Sequence, residues 1–167
     1  MTTPFSLSRR QLTRGACIAA TGAIVVAGLG MARSPALAQA DVIQSQDTNE
    51  SGVVAEITQC KRKDGVLTIK MRLRNTSQQD IRVHVIESRG YDEYYVTAGD
   101  KKYFILKDTE NVPLAPQTDG GGSLTPKIDK GGTYTWWAKY PAPPADVKSV
   151  SYYTSISAPF EDIPITD

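Results

Sequence analysis

The side chains able to do nucleophilic or metal chemistry are few. Of the two cysteines and one histidine in the 167-residue chain, Cys17 falls in the uncharged N-terminal stretch from Gly15 to Ala32, apart from the rest, which leaves Cys60 with His84. Thiolate catalysis needs an imidazole close enough to take the thiol proton. Cys60 ends the stretch Ile57-Thr58-Gln59-Cys60, where a thiol packs as a small hydrophobe, and His84 falls on the polar side of an alternating segment. A catalytic pair is therefore not expected. One cysteine also rules out an intramolecular disulfide and any thiolate-built zinc or iron–sulfur site.

Oxygen ligands offer little more. Asp92, Glu93, Asp119, Glu161 and Asp162 are the calcium candidates, but none has EF-hand spacing, and adjacent acids on a strand point to opposite faces. A carboxylate pair for glycoside hydrolysis would need a cleft that nothing in the pattern supplies. Gly120-Gly121-Gly122 lacks the lysine and the strand-to-helix context of a phosphate loop. The expectation is no catalytic residue, no metal and no cofactor.

The aromatic residues stand out instead. Eight Tyr, three Phe and two Trp fall mainly into two groups, Tyr91 to Phe104 and Tyr134 to Tyr153. In a strand, Trp136 and Trp137 must face opposite ways, so one of them lies outside the core. An exposed tryptophan beside tyrosines suits a protein partner or a sugar ring. The candidate interaction surface is Trp136, Trp137 and Tyr140, with Tyr91, Tyr94 and Tyr95 of the loop beginning at Arg89.

These groups must be positioned by strands. Leu67, Ile69, Met71 and Leu73 alternate with Thr68, Lys70, Arg72 and Arg74, the pattern of a half-exposed antiparallel strand. Lys63-Asp64-Gly65 pairs it in a hairpin with Val53 to Lys61. Ile81, Val83 and Val85 alternate with Arg82, His84 and Ile86. Further short strands are read at Tyr94–Thr97, Tyr103–Leu106, near Leu124, Thr133–Tyr140, Val147–Ser155 and Glu161–Ile165. Lys107 to Thr125 reads as a long loop, and Pro141-Ala142-Pro143-Pro144 as a stiff connection. Eight or nine strands without crossover helices predict a two-sheet antiparallel sandwich.

The N-terminus is organised differently. Four basic residues (Arg9, Arg10, Arg14, Arg33) and no acidic one occupy residues 1–38, and an uncharged stretch runs from Gly15 to Ala32. Ala36 and Ala38 then provide the small residues of a signal-peptidase site. Ser8-Arg9-Arg10-Gln11-Leu12 resembles the twin-arginine export signal, which implies passage through the membrane in the folded state. The reading is a cleaved signal over 1–38, a flexible tether over 39–51 and a sandwich domain over 52–167. Residues 39–167 hold 15 Lys and Arg against 18 Asp and Glu, which gives no electrostatic reason to seek nucleic acid or an anionic membrane. Membrane contact is expected only in transit, through the signal.

From Tyr103 onward the chain resembles bacterial secreted proteins with a telokin-like, immunoglobulin-like domain. The matching pieces are Lys102-Tyr103-Phe104-Ile105-Leu106-Lys107-Asp108, Gly131-Gly132-Thr133-Tyr134-Thr135-Trp136-Trp137-Ala138, Tyr140-Pro141-Ala142-Pro143-Pro144 and Pro159-Phe160-Glu161-Asp162-Ile163-Pro164-Ile165. The resemblance implies an immunoglobulin-like sandwich and no particular activity. The functional expectation is a non-catalytic domain, periplasmic or secreted, that binds another protein in the cell envelope. The alternatives are an accessory subunit that carries a signal-less enzyme through the twin-arginine route, and a small metal- or sugar-binding protein.

Overall fold

The computed structural model describes residues 41–87 and 90–167. The expected signal, with Arg9, Arg10, Ala36 and Ala38, lies outside the described residues. Ten strands follow in order: β1 (Gln44–Asp47), β2 (Val53–Lys63), β3 (Val66–Asn75), β4 (Ile81–Arg82), β5 (Tyr95–Ala98), β6 (Lys101–Phe104), β7 (Lys127–Ile128), β8 (Thr133–Pro141), β9 (Ser149–Tyr153) and β10 (Phe160–Pro164). They form two four-stranded antiparallel sheets, β1-β2-β3-β8 and β10-β9-β5-β6, and a ribbon of β4 with β7. The all-β, antiparallel, sandwich-like architecture agrees with the alternation in the sequence. Among the described residues the only helical element is the 3-10 turn Gly90–Glu93, and no helix is long and apolar enough to cross a membrane.

The β2–β3 hairpin is the longest pairing, and its turn explains its register. Asp64 and Gly65 take φ of 50° and 76°, the left-handed pair of a type I′ turn whose twist matches the flanking strands. The inward side of β3 (Leu67, Ile69, Met71, Leu73) is fully buried. It meets Val96, Val150, Tyr152, Phe160 and Ile163 from the second sheet in one hydrophobic core. Gly52 sits at φ 82°, and a Cβ there would come within 2.9 Å of the Ser77 Cβ, so glycine alone fits this crossing of two turns.

Two segments depart from expectation. The tether read over 39–51 contributes β1, which pairs with β2 from Gln44↔Ile57 to Asp47↔Val54. Its polar sequence hid the strand because Gln46 and Asn49 are held by amide-to-carbonyl hydrogen bonds, Gln46 Nε2 to Pro159 O and Asn49 Nδ2 to Ser155 O. The alternation over 81–86 also breaks: Val83, Val85 and Ile86 are all buried, because the Val85 and Ile86 N–H groups both donate to the Leu124 carbonyl. Two consecutive residues sharing one acceptor shift the side-chain period by one.

Candidate interaction surface

The predicted surface residues divide cleanly by strand face. On β8, Tyr134, Trp136, Ala138 and Tyr140 point inward, and Thr133, Thr135, Trp137, Lys139 and Pro141 point outward. Trp136 and Tyr140 are fully buried, as is Tyr94, so these three are core residues with no surface to offer a partner. Their polar ends explain why they read ambiguously. Trp136 Nε1 donates to the Tyr152 hydroxyl at 2.8 Å, and the Tyr94 hydroxyl donates to the Val85 carbonyl while accepting from Ser155 Oγ. The Tyr94 ring packs 4.6 Å from Trp136. Burial pushes the phenols of Tyr94, Tyr140 and Tyr152 well above the ordinary range, so all three stay protonated.

Tyr91 and Tyr95 occupy intermediate positions. Tyr91 stacks over Trp136 at 6.5 Å and donates its hydroxyl to Pro116 O at 2.8 Å, so it closes the core beneath it. Tyr95 sits in a row of three aromatic rings that spans β9, β5 and β6 through the pairs Tyr95↔Tyr153 and Tyr95↔Phe104. It stacks on Tyr153 at 4.7 Å and 9°, and Phe104 tilts against it at 6.0 Å. Lys102 Nζ lies 4.2 Å from the Tyr95 ring centre. A sugar stacks on a free aromatic face, and the faces of Tyr95 are taken by its neighbours. The row is a cross-strand stabilising ladder.

Of the six predicted surface residues Trp137 is the one left for recognition; Phe104, at the end of the aromatic row on the other sheet, is also exposed. Trp137 is 36% exposed and pairs directly with Lys70 on β3. The outward positions around it are cationic: Lys61 and Lys63 on β2, Lys70, Arg72 and Arg74 on β3, and Lys139 on β8. Asp47 and Glu56 are the acids on the same face. Glu56 is spent within the sheet. It is 5% exposed, and its two oxygens take hydrogen bonds from Arg72 Nε at 2.7 Å and Arg74 Nε at 2.9 Å. Burial alone would raise this carboxyl, but the hydrogen bonds and charges of Arg74 and Arg72 outweigh that and hold it below the usual carboxylate range. The face therefore presents one tryptophan in a field of positive charge, although residues 39–167 are acidic as a whole.

The sequence candidates for chemistry lie apart from this face. Cys60 is 1% exposed, and burial pushes its thiol up to about 12 despite the nearby Arg62, so the thiolate is not populated near neutrality. His84 lies 3.3 Å from Glu87, at the rim of a shallow hollow lined by Asn49, Glu50, Glu87, Glu93, Ser155 and Ile156. Asp119 is occupied in its own loop, where its Oδ1 accepts from the Gly121 and Ser123 N–H groups. Asp162 lies at the irregularity between Phe160 and Ile163 in β10, with φ of 54°. Among the described residues no three of His, Cys, Asp and Glu gather closely enough to hold a metal ion.

Arg62 was missed by sequence reading. Its guanidinium donates from Nη1 to the carbonyls of Pro144 (2.8 Å), Val147 (3.2 Å) and Pro143 (3.4 Å), from Nη2 to Ala145 O (3.4 Å), and from Nε to Asp167 Oδ1 (2.7 Å). It anchors the proline-rich connection that follows β8, which fixes the end of the strand bearing Trp137. A basic residue one position from Lys61 and Lys63 carries no pattern that separates an anchor from a solvated charge.

Comparison of the chain with family models, curated proteins and solved structures finds no match.

Proposed function

We propose that the protein is a non-catalytic, immunoglobulin-like binding domain that engages another protein in the cell envelope, to which a twin-arginine signal would deliver it. The observation that carries this reading is Trp137. A large apolar ring about a third exposed, on the edge strand of a sheet face where lysines and arginines outnumber acids, is the composition of an interface anchor with a charged surround. Burying such a ring against a partner contributes on the order of 2 kcal/mol from its apolar area alone, and the surrounding cations speed encounter with an acidic partner. The Cys60 thiol is buried and protonated, and His84 is engaged with Glu87, which leaves binding as the activity the geometry supports best.

Affinity capture from envelope extract with the purified protein, run beside Trp137→Ala, tests the reading. A partner retained by the native chain and lost with the variant is the expected result. The same set of proteins recovered with both would overturn it.

A further inference from the structure

The edge of β8 carries a second feature, independent of the side chains on its face. β8 is the last strand of its sheet, paired on one side with β3 in unbroken register from Val66↔Pro141 to Arg74↔Thr133. Lys139 marks the direction of its other side. Its N–H donates to Leu114 O at 3.1 Å, and its carbonyl accepts from Leu106 N–H at 2.8 Å. Both groups thus point away from β3. In an antiparallel ladder every second residue turns its backbone groups the same way, so Thr133, Thr135 and Trp137 also direct N–H and C=O outward. Among the described residues none of these groups has a backbone partner on that side, and all three residues are exposed. An open edge of this kind is a template for another strand.

We infer that β8 receives an extended, acidic segment of the partner protein by strand addition along Thr133–Trp137. This deepens the proposed function and rests on it. Charge complementarity selects the occupant: a strand added here lies beside the outward face that carries Lys139, Lys70, Arg72 and Arg74, whose nearby acid Glu56 is already engaged by both arginines. A segment with acidic side chains at alternate positions places all of them on that face while its backbone pairs with the three open residues. The apolar side chain next in line meets the Trp137 ring. Leu106 and Leu114 already cap the edge at Lys139, which sets where the added strand must stop. An anionic polysaccharide or a lipid surface would satisfy the cations but has no use for a row of backbone donors and acceptors at strand spacing.

The test uses a fluorescently labelled nine-residue peptide alternating glutamate and valine, its lysine–valine counterpart, a hexagalacturonate and anionic phosphatidylglycerol vesicles, each titrated into the purified protein. Amide exchange is followed by NMR. Binding of the glutamate peptide alone, with exchange of the Thr133, Thr135 and Trp137 amides slowed about tenfold or more, is the expected result. Thr135→Pro removes one outward N–H without touching a bond to β3; it should abolish peptide binding, and Thr135→Ala should keep it. Lys70→Glu should weaken binding about fivefold or more. Peptide binding that survives Thr135→Pro, with those amides unprotected, overturns strand addition and leaves the Trp137 face standing as a binding site. Preference for the uronide or the vesicles, or binding of none of the four, overturns the inference. Loss of the Trp137→Ala difference in affinity capture is a separate result and strikes at the proposed function itself.

Discussion

Trp137 and Lys70 stand opposite each other on neighbouring strands, in a position where the backbone bonds turn away and the side chains come closest. The pair sits on the outward face, while Trp136, one residue earlier, is sealed in the core. The two tryptophans of the chain therefore report on opposite environments.

That difference can be measured directly. Iodide should quench the fluorescence of the folded protein strongly and caesium weakly, because Lys70 and Lys139 concentrate anions around the accessible ring. Trp137→Phe should leave only the core emission of Trp136, blue-shifted and nearly indifferent to either ion. Equal quenching by both ions in the native protein would show that the ring does not sit in a positive field.

Glu56 links stability to pH. Its carboxyl titrates lower in the folded chain than in the unfolded one, so its stabilisation is complete above the unfolded value of about 4.3 and is lost as pH falls through the lower, folded value. Glu56→Gln should cost about 1 to 3 kcal/mol at pH 7, the range for a charge-assisted hydrogen-bonded group largely out of water. The gap between variant and native protein should narrow as denaturation is repeated toward pH 3. A gap that stays constant with pH would mean that the arginine contacts do not hold the charged form.

The buried phenols predict an asymmetry. Tyr152 accepts from Trp136 Nε1, whereas the Tyr140 hydroxyl, equally buried, makes no well-directed hydrogen bond. Tyr152→Phe orphans the indole N–H and should destabilise by about 1 to 2 kcal/mol. Tyr140→Phe removes a desolvated hydroxyl that gains little in return, so it should be neutral or stabilising by up to about 1 kcal/mol. Urea denaturation of the two variants checks the sign of each, and equal losses would place Tyr140 within the hydrogen-bonded network.

Arg62 supplies a prediction that the sequence did not suggest. Arg62→Ala frees four carbonyls of the segment 143–147 and the Asp167 carboxylate. The Asp167 carboxylate is largely exposed, so that pair adds little; the carbonyl contacts matter more, and their loss should lower the melting temperature. Lysine offers one point charge in place of the guanidinium fork, so Arg62→Lys should recover less than half of that drop in thermal denaturation. Full recovery would show that charge alone anchors the loop.

The sheet face was legible in the sequence because β3 alternates without interruption and its hairpin turn is short. Leu67 to Leu73 define the inside, and the arginines and lysines between them define the outside. The same alternation implied that Trp136 and Trp137 diverge, but not which way, since the tyrosines that flank Trp136 suit either a core or a binding face. Register with β3 decides it, and register is a tertiary property. Tyr140 and Tyr94 read as surface because a phenol tolerates either side, and only their buried partners show them to be core. β1 was missed for a related reason: its stability comes from pairing with β2 and from amide-to-carbonyl bonds to distant loops, which leave no hydrophobic period in Gln44–Asp47.

The central claim is that Trp137 and its cationic surround form the contact with a protein partner. Replacing Trp137 with photoreactive benzoylphenylalanine in the native host, and Glu161 on the far sheet as a control, tests it most directly. Irradiation should yield one discrete adduct with a second protein from position 137 and none from position 161. Absence of an adduct at 137, or the same adducts from both positions, would contradict the account.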